Sequence, residues 1–300
     1  MQVNSSKFIK TLFLIIFLIS LAFNLFILVI ISSLGFSLSG TLLYIIFSTI
    51  VSSLLIINVI TITSPVIIKF IAGNQAIKSL GNTNHPLLKR LSKEAPGTYH
   101  HSTAVAEIAE KAVKVIGLSG TQIRIGAYYH DIGKLINPNV FNENQSLSST
   151  KEEISEHQKA ILLRKIISHV ENGIEIAAKG KMPDEIIELI GQHHGTSIAS
   201  SYQKELALTH GDTEIHRYPG PKPLTKEAGI LMITDSCEAK ARSSKTLSAK
   251  TIPSIVESII RDKISDDQLE LCTLSDIDLG KIKKSIISSL ESIYHKRISY

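Results

Sequence analysis

The chain has 300 residues, 44% of them hydrophobic, with 32 Lys and Arg against 27 Asp and Glu for a formal net charge of +5. Acidic and basic residues are interspersed, which argues against a surface for nucleic acid; the mild excess suits a small anionic substrate or an anionic membrane face. Cys237 and Cys272 are isolated, fit no metal or redox spacing, and read as free thiols of a reducing compartment.

The first elements are two apolar segments. No charged residue occurs between Lys10 and Lys69. Residues 8–31 and 41–62 are each long enough to cross a hydrocarbon core as a helix, and SSLGFSLSG between them supplies a turn. The first run is too long for a usual signal-peptide core and no small-residue cleavage site follows it, so it reads as a retained anchor. Lys7 and Lys10 precede the hairpin, Lys69, Lys78, Lys89, Arg90 and Lys93 follow it, and the turn carries none. Both termini are therefore expected in the cytoplasm, with the hairpin occupying 1–72 of an inner-membrane protein and one charged domain occupying 73–300.

That domain reads as all-α. Val105, Ile108, Ala109, Ala112, Val113 and Ile116 recur at helical spacing, with His101 in the first turn and Gly117 as a stop. A second helix starts at Ser119 or Thr121 and leads to His130. A third, from about Glu152 to Lys179, carries His169. Pro183 and Asp184 open a fourth that ends at His193, His194 and Gly195. A helix from Thr225 to Ala241 carries Asp235. Two amphipathic helices, near 253–264 and 275–298, supply apolar faces to the core, and Ser275 with Asp278 resembles a capping box. Strand-like alternation is scarce, and the sequence has no glycine-rich phosphate loop, no G-x-S-x-G elbow and no Cys-x-x-Cys pair.

The chemistry lies in the order of His100-His101, His130-Asp131, His169, His193-His194 and Asp235. Imidazole nitrogens and carboxylate oxygens suit manganese, iron and similar divalent ions. Seven donors exceed the need of one ion that keeps positions open for solvent. The set points to two ions sharing a carboxylate, an arrangement used for phosphoester hydrolysis. Lone histidines such as His157, His210, His216 and His295 read as surface or capped residues.

NHPLLKRLSKEAPGTYHHS (84–102), GAYYHDIGKL (126–135), ENQ (143–145), ISHVENG (167–173), QHHGTS (192–197) and RYPGPKPLTKEAGI (217–230) resemble the HD phosphohydrolase superfamily. Within it they are most similar to the membrane-anchored seven-transmembrane HD family of bacterial cyclic di-AMP phosphodiesterases, from about Gly73 onward. The resemblance implies that His101, His130, Asp131 and Asp235 hold one iron or manganese ion. Asp131 then bridges to a second held by His169, His193 and His194, with Lys134 near the scissile phosphate. Arg217, Tyr218 and Lys222 are expected to contact base or phosphate. The chain departs from that family in having two membrane helices and no large extracellular domain, which leaves a shortened form, a split sensor partner or self-association open. It also reads SSTKEEISEHQ at 148–158, where the family carries Asn-Pro-His-Asp.

Two alternatives stand beside cyclic di-AMP hydrolysis. Alarmone hydrolases continue their HD with Glu-Asp, where this chain has Gly133-Lys134. Cyclic di-GMP enzymes carry a Gly-Tyr-Pro motif that Arg217-Tyr218-Pro219 does not reproduce. A non-catalytic membrane adaptor would be expected to have lost a ligand, and none is missing. The lysine distribution gives one direct test. A reporter that is active only outside the cytoplasm, fused after Tyr300, is expected to stay silent; strong signal would reverse the orientation.

Overall fold

A computed structural model describes residues 17–18, 20–30, 33, 35, 38–145, 155–199, 217–244 and 246–295. The chain divides into two compact units, Met1–Asn74 and Gln75–Tyr300. In the first, α1 spans Ser20–Ile30, and α2 spans Leu38–Leu80 and continues past the boundary. Of the expected first membrane segment, 8–16 lies outside the described residues. Within α2, Leu42–Pro65 is 24 residues long and apolar enough to cross a membrane. At 1.5 Å per residue this is about 36 Å, more than a hydrocarbon core of roughly 30 Å.

The two helices are held by small polar side chains. Ser48 Oγ donates to Asn24 Oδ1 at 2.6 Å, and the Ser20 and Ser52 hydroxyls lie 2.9 Å apart. Asn24 is buried between them, while most large apolar side chains around it face outward, as packing within lipid would require. The sequence reading closes the second helix at Ile62. In the structure the helix passes through Pro65 to Leu80, because loss of one backbone hydrogen bond at proline does not outweigh the helical preference on either side.

In the second unit, α3 (Pro86–Glu94), α4 (Pro96–Lys114) and α5 (Gly120–Tyr129) lead into three short 3-10 turns over 132–144. Then follow α6 (Glu156–Ile167), α7 (His169–Lys179), α8 (Asp184–Gln192), α9 (Lys226–Ser243), α10 (Thr251–Ser265) and α11 (Asp276–Tyr294). Among the described residues there is no strand, only an isolated bridge between Ile198 and Arg217. Every residue from Ala228 to Asp235 is buried, which makes α9 the central helix, apolar on all sides as such a position demands. One core cluster joins α4, α5, α9, α10 and α11 around Ile108, Ile123, Met232, Val256 and Ile286. A second joins α3, α5, α7 and α8 around Leu91, Tyr129, Ile132 and Ile190.

Local chemistry explains the boundaries. Ser155 and Gln158 form a capping box at α6, Ser275 and Asp278 form the expected one at α11, and Thr225 Oγ1 accepts from Ala228 N at α9. Pro96, favoured at a first helical position, starts α4 earlier than the apolar periodicity indicates. His101 therefore stands in the second turn rather than the first. The single helix expected over 152–179 is two, joined at Ser168, whose amide returns to Arg164 O and Ile166 O. Of that expected stretch, 152–154 lies outside the described residues, as does the serine-rich segment 146–150.

Gly133 is fixed by space. A Cβ there would lie 1.9 Å from the His169 carbonyl oxygen and 2.5 Å from Gly173 N. The turn after Asp131 packs directly on the backbone of α7, and this contact sets the separation between Asp131 and His169. Gly133→Ala is expected to cost at least about 2 kcal/mol, the scale of overpacking, read as a lower urea midpoint with loss of bound metal. Wild-type stability in this variant would show that the contact yields.

Candidate metal centre

Helix ends aim the imidazoles. His130, His169 and His193 each turn Nδ1 back to the carbonyl three residues earlier: Ala127 O at 2.7 Å, Ile166 O at 2.5 Å and Ile190 O at 2.6 Å. A carbonyl can only accept, so Nδ1 carries a proton there, and Nε2 is the nitrogen turned toward the centre. Gly195 has φ +54, in the left-handed region that favours glycine, which lets the chain turn away just after His194. His101 points in from mid-α4, while its neighbour His100 is exposed.

Asp131 is 1% exposed, and its two oxygens face different groups. Oδ2 lies 3.2 Å from His130 Nε2, 3.5 Å from His101 Nε2 and 2.8 Å from Lys134 Nζ. Oδ1 lies 3.3 Å from His169 Nε2 and 3.8 Å from His193 Nε2. Asp235 closes the other side, with Oδ1 3.0 Å from His101 Nε2 and Oδ2 3.7 Å from His194 Nδ1. The structure thus brings all seven expected ligands together. They form overlapping donor groups: His101, His130 and Asp131; Asp131, His169, His193 and His194; and His130, His193 and Asp235.

This donor set fits divalent cations. His169 Nε2 and His193 Nε2 approach to 3.2 Å. With both Nδ1 protons committed to carbonyls, two lone pairs face each other and call for a positive charge between them. Asp131 Oδ1 and His130 Nε2 are buried without a hydrogen-bond partner among the described residues, while Asp131 Oδ2 receives the Lys134 ammonium at 2.8 Å; a coordinated ion would satisfy the two orphaned atoms. The donors are nitrogen and oxygen throughout; buried Cys237 belongs to none of the groups.

The protonation states follow from the same geometry. Burial opposes charge on His101 and His130, but hydrogen bonds and charge from Asp235 and Glu238 for the first, and Asp131 and Asp235 for the second, raise their pKa values to about 9 and about 10. Burial, reinforced by the neighbouring imidazoles, lowers His193 to about 3 and holds His194 well below its usual value. Burial alone would raise Asp131 and Asp235; the facing imidazoles, with Lys134 for Asp131, hold both well below the carboxylate range. A divalent ion held by His101 and His130 would need both imidazoles neutral, and so would take the place of the protons that their carboxylate neighbours favour.

The supporting shell was not foreseen from sequence. Glu238, 1% exposed, binds His101 Nδ1 and in turn accepts from the Tyr294 hydroxyl at 2.6 Å. It lies three residues after Asp235 on α9, so the same helix face supplies a ligand and the carboxylate that orients another ligand. Lys134 is gripped by Asp131 and by Glu143 Oε1 at 2.7 Å, and sits over the Phe141 ring. Of the loop expected to meet substrate, Tyr218 reaches the site, stacking on His194 with centroids 4.2 Å apart. Arg217 instead forks onto Asp266 at 2.9 and 3.1 Å and donates to Thr196 O, and Lys222 pairs with Glu270. Neither lines the cleft. His157 and His295 are exposed as expected, and His210 and His216 lie outside the described residues.

A cleft of about 910 Å³ opens over His101, Lys134, His169, His194, Tyr218 and Asp235. This is within the usual range for small-molecule sites.

Comparison with known proteins places these residues in a family. Residues 98–240 match the family described as HD domain. The chain is 39% identical over 234 residues to cyclic-di-AMP phosphodiesterase PgpH of Bacillus subtilis, covering 77% of this chain and 32% of that protein. It is 39% identical over 224 residues to PgpH of Listeria monocytogenes, covering 74% and 31%. It thus spans about a third of the length of these curated relatives. The crystal structure of the L. monocytogenes phosphodiesterase PgpH HD domain in complex with cyclic-di-AMP is similar at a TM-score of 0.65 and 39% identity, over 72% of this chain and all of that one.

Replacing Glu238 by Gln removes the charge that orients His101. Manganese affinity is expected to fall by about 10- to 100-fold, the usual effect of losing such a partner, measured by calorimetric titration. Unchanged affinity would show that the Tyr294–Glu238–His101 chain is only structural.

Proposed function

The chain belongs to the HD phosphohydrolase superfamily, and on that basis we propose that it is a metal-dependent phosphodiesterase that opens cyclic di-AMP to linear pApA at the inner membrane face. The observation that carries the hydrolase reading is Asp131, whose two oxygens each face a separate imidazole group, with His101, His169, His194 and Asp235 of the same donor set lining an open cleft. The preference for cyclic di-AMP draws on the similarity to the named phosphodiesterases.

In this reading His101, His130, Asp131 and Asp235 would hold one iron or manganese ion, and Asp131, His169, His193 and His194 would hold the other. Such a pair supplies charge neutralisation at the phosphoryl group and a lowered pKa for water. The protein's own residues do the positioning. Helix-end carbonyls fix the imidazole tautomers. Glu238 orients His101. Lys134, at 2.8 Å from Asp131 Oδ2, fixes that carboxylate and would set a positive charge beside a phosphate at the metal donors, where negative charge grows in the transition state. Tyr218 walls the site behind His194 and limits water. The α1–α2 hairpin serves as the membrane anchor, with its flanking lysines on the cytoplasmic side.

The test is a side-by-side assay of the full chain in detergent, loaded with manganese or iron, on cyclic di-AMP, cyclic di-GMP, linear dinucleotides and guanosine alarmones. Cyclic di-AMP is expected to be opened fastest. Asp131→Ala is expected to lose both ions and activity together, whereas loss of His169 weakens mainly one ion. Faster cleavage of cyclic di-GMP or an alarmone would overturn the substrate and keep the hydrolase. Two ions and near-normal turnover in Asp131→Ala would overturn the metal assignment.

A further inference from the structure

The cleft above the metal donors is lined by four basic side chains, and three of them are accounted for. Lys134 is held by Asp131 and Glu143. Arg242 lies 3.5 Å from Glu238. Lys240 is exposed to solvent. The fourth, Lys263 on α10, is half-buried and donates to Ser197 Oγ at 2.9 Å. Among the described residues no carboxylate lies within 4.0 Å of its amine. Burial holds its pKa below the usual lysine range even though Asp235, Asp266 and Asp262 pull the other way from greater distances. Withdrawing an ammonium from water without an acidic partner is unfavourable, and such a group in a cleft marks a place for an anion.

Ser197, which holds the Lys263 amine, in turn donates to the His194 carbonyl. Lys263 is thus tied, through a hydroxyl, to the chain just after a metal ligand, but stands outside the donor set. Lys134 occupies the opposite relation, in direct contact with Asp131. Besides paired Arg242 and exposed Lys240, the cleft therefore carries one cation among the metal donors and one half-buried cation on the α10 wall.

The two phosphates of a cyclic dinucleotide lie on opposite sides of its ring, so only one can sit at the metal donors in any turnover. Building on the functional reading above, we propose that Lys263 binds the second phosphate of the substrate, the one not undergoing cleavage, and so selects diesters that carry two phosphates. Ser197 keeps the amine directed into the cleft until substrate arrives.

The test compares wild type, Lys263→Met, Lys263→Gln and Lys263→Arg in the full metal-loaded chain. The substrates are the cyclic dinucleotide that wild type opens fastest and bis(p-nitrophenyl) phosphate, which has a single phosphate. In the Met and Gln variants the dinucleotide KM is expected to rise about tenfold with kcat nearly unchanged, as loss of a ground-state contact would give. Metal content and bis(p-nitrophenyl) phosphate turnover are expected to stay at wild-type levels, and Arg is expected to recover most of the KM. An unchanged KM in Met and Gln overturns the proposal. Equal losses on both substrates at full metal content also overturn it, by placing Lys263 at the reacting phosphate. A wild type that opens no cyclic dinucleotide refutes the functional reading and this proposal together, whereas a competent wild type matched by Lys263→Met refutes the lysine's role alone.

Discussion

Everything around the centre answers one constraint, the burial of the Asp131 carboxylate. A carboxylate 1% exposed, with one oxygen held by the Lys134 ammonium at 2.8 Å and the other without a hydrogen-bond donor among the described residues, is tolerated only where positive charge surrounds it. The fold meets this by ending helices there. The ends of α5 and α8 and the α6–α7 junction each deliver an imidazole whose outer nitrogen is tied to the helix's own backbone, so the inner nitrogen has one direction to point. The directions of these imidazoles are thus set by helix ends. Gly133 completes the arrangement, since only a residue without a side chain lets the turn after Asp131 rest on α7.

A second layer makes α9 more than a core helix. Its buried residues hold the two halves of the domain together, and its Asp235–Glu238 face reaches into the centre. Through Glu238 the site also touches α11, by the Tyr294 hydroxyl. The C-terminal helix, which the sequence suggests is only apolar packing, is therefore coupled to the orientation of His101. Similarly, Asp266 at the end of α10 is what holds Arg217, and Arg217 fixes the segment that presses Tyr218 against His194. The cleft wall is thus braced by the Arg217–Asp266 ion pair.

What was legible in the sequence follows from how local each signal is. His130-Asp131 and His193-His194 announce themselves because adjacent ligands at a helix end need no distant partner. The capping serines and threonine are equally local, as are the long apolar runs. The role of Glu238 was within reach, since its spacing from Asp235 places both on one helix face, but its partner His101 is 137 residues away. Arg217 reads as a substrate contact until Asp266, 49 residues further on, is seen to engage it. The extension of α2 beyond Ile62 was hidden because hydropathy marks where lipid-like composition stops, not where backbone hydrogen bonding stops. The break at Ser168 was hidden because the apolar pattern runs through it.

Lys263 shows the limit of local reading most clearly. In sequence it is one basic residue in an amphipathic helix, indistinguishable from Lys250 or Arg261. What sets it apart is a relation among α10, the segment after α8 and the metal cleft, none of which is near it in the chain. The same relation explains the contrast between two of the cleft's lysines: Lys134, tied to Asp131 and Glu143, strengthens the metal centre, and half-buried Lys263, with no carboxylate within 4.0 Å among the described residues, is left with charge to offer. If the proposed substrate is right, a site that cuts one phosphate of a doubly anionic ring has to hold the other phosphate against the repulsion of Asp235, Asp262 and Asp266 around Lys263. A desolvated cation on that wall serves this need better than an exposed one, because its attraction is not screened by water.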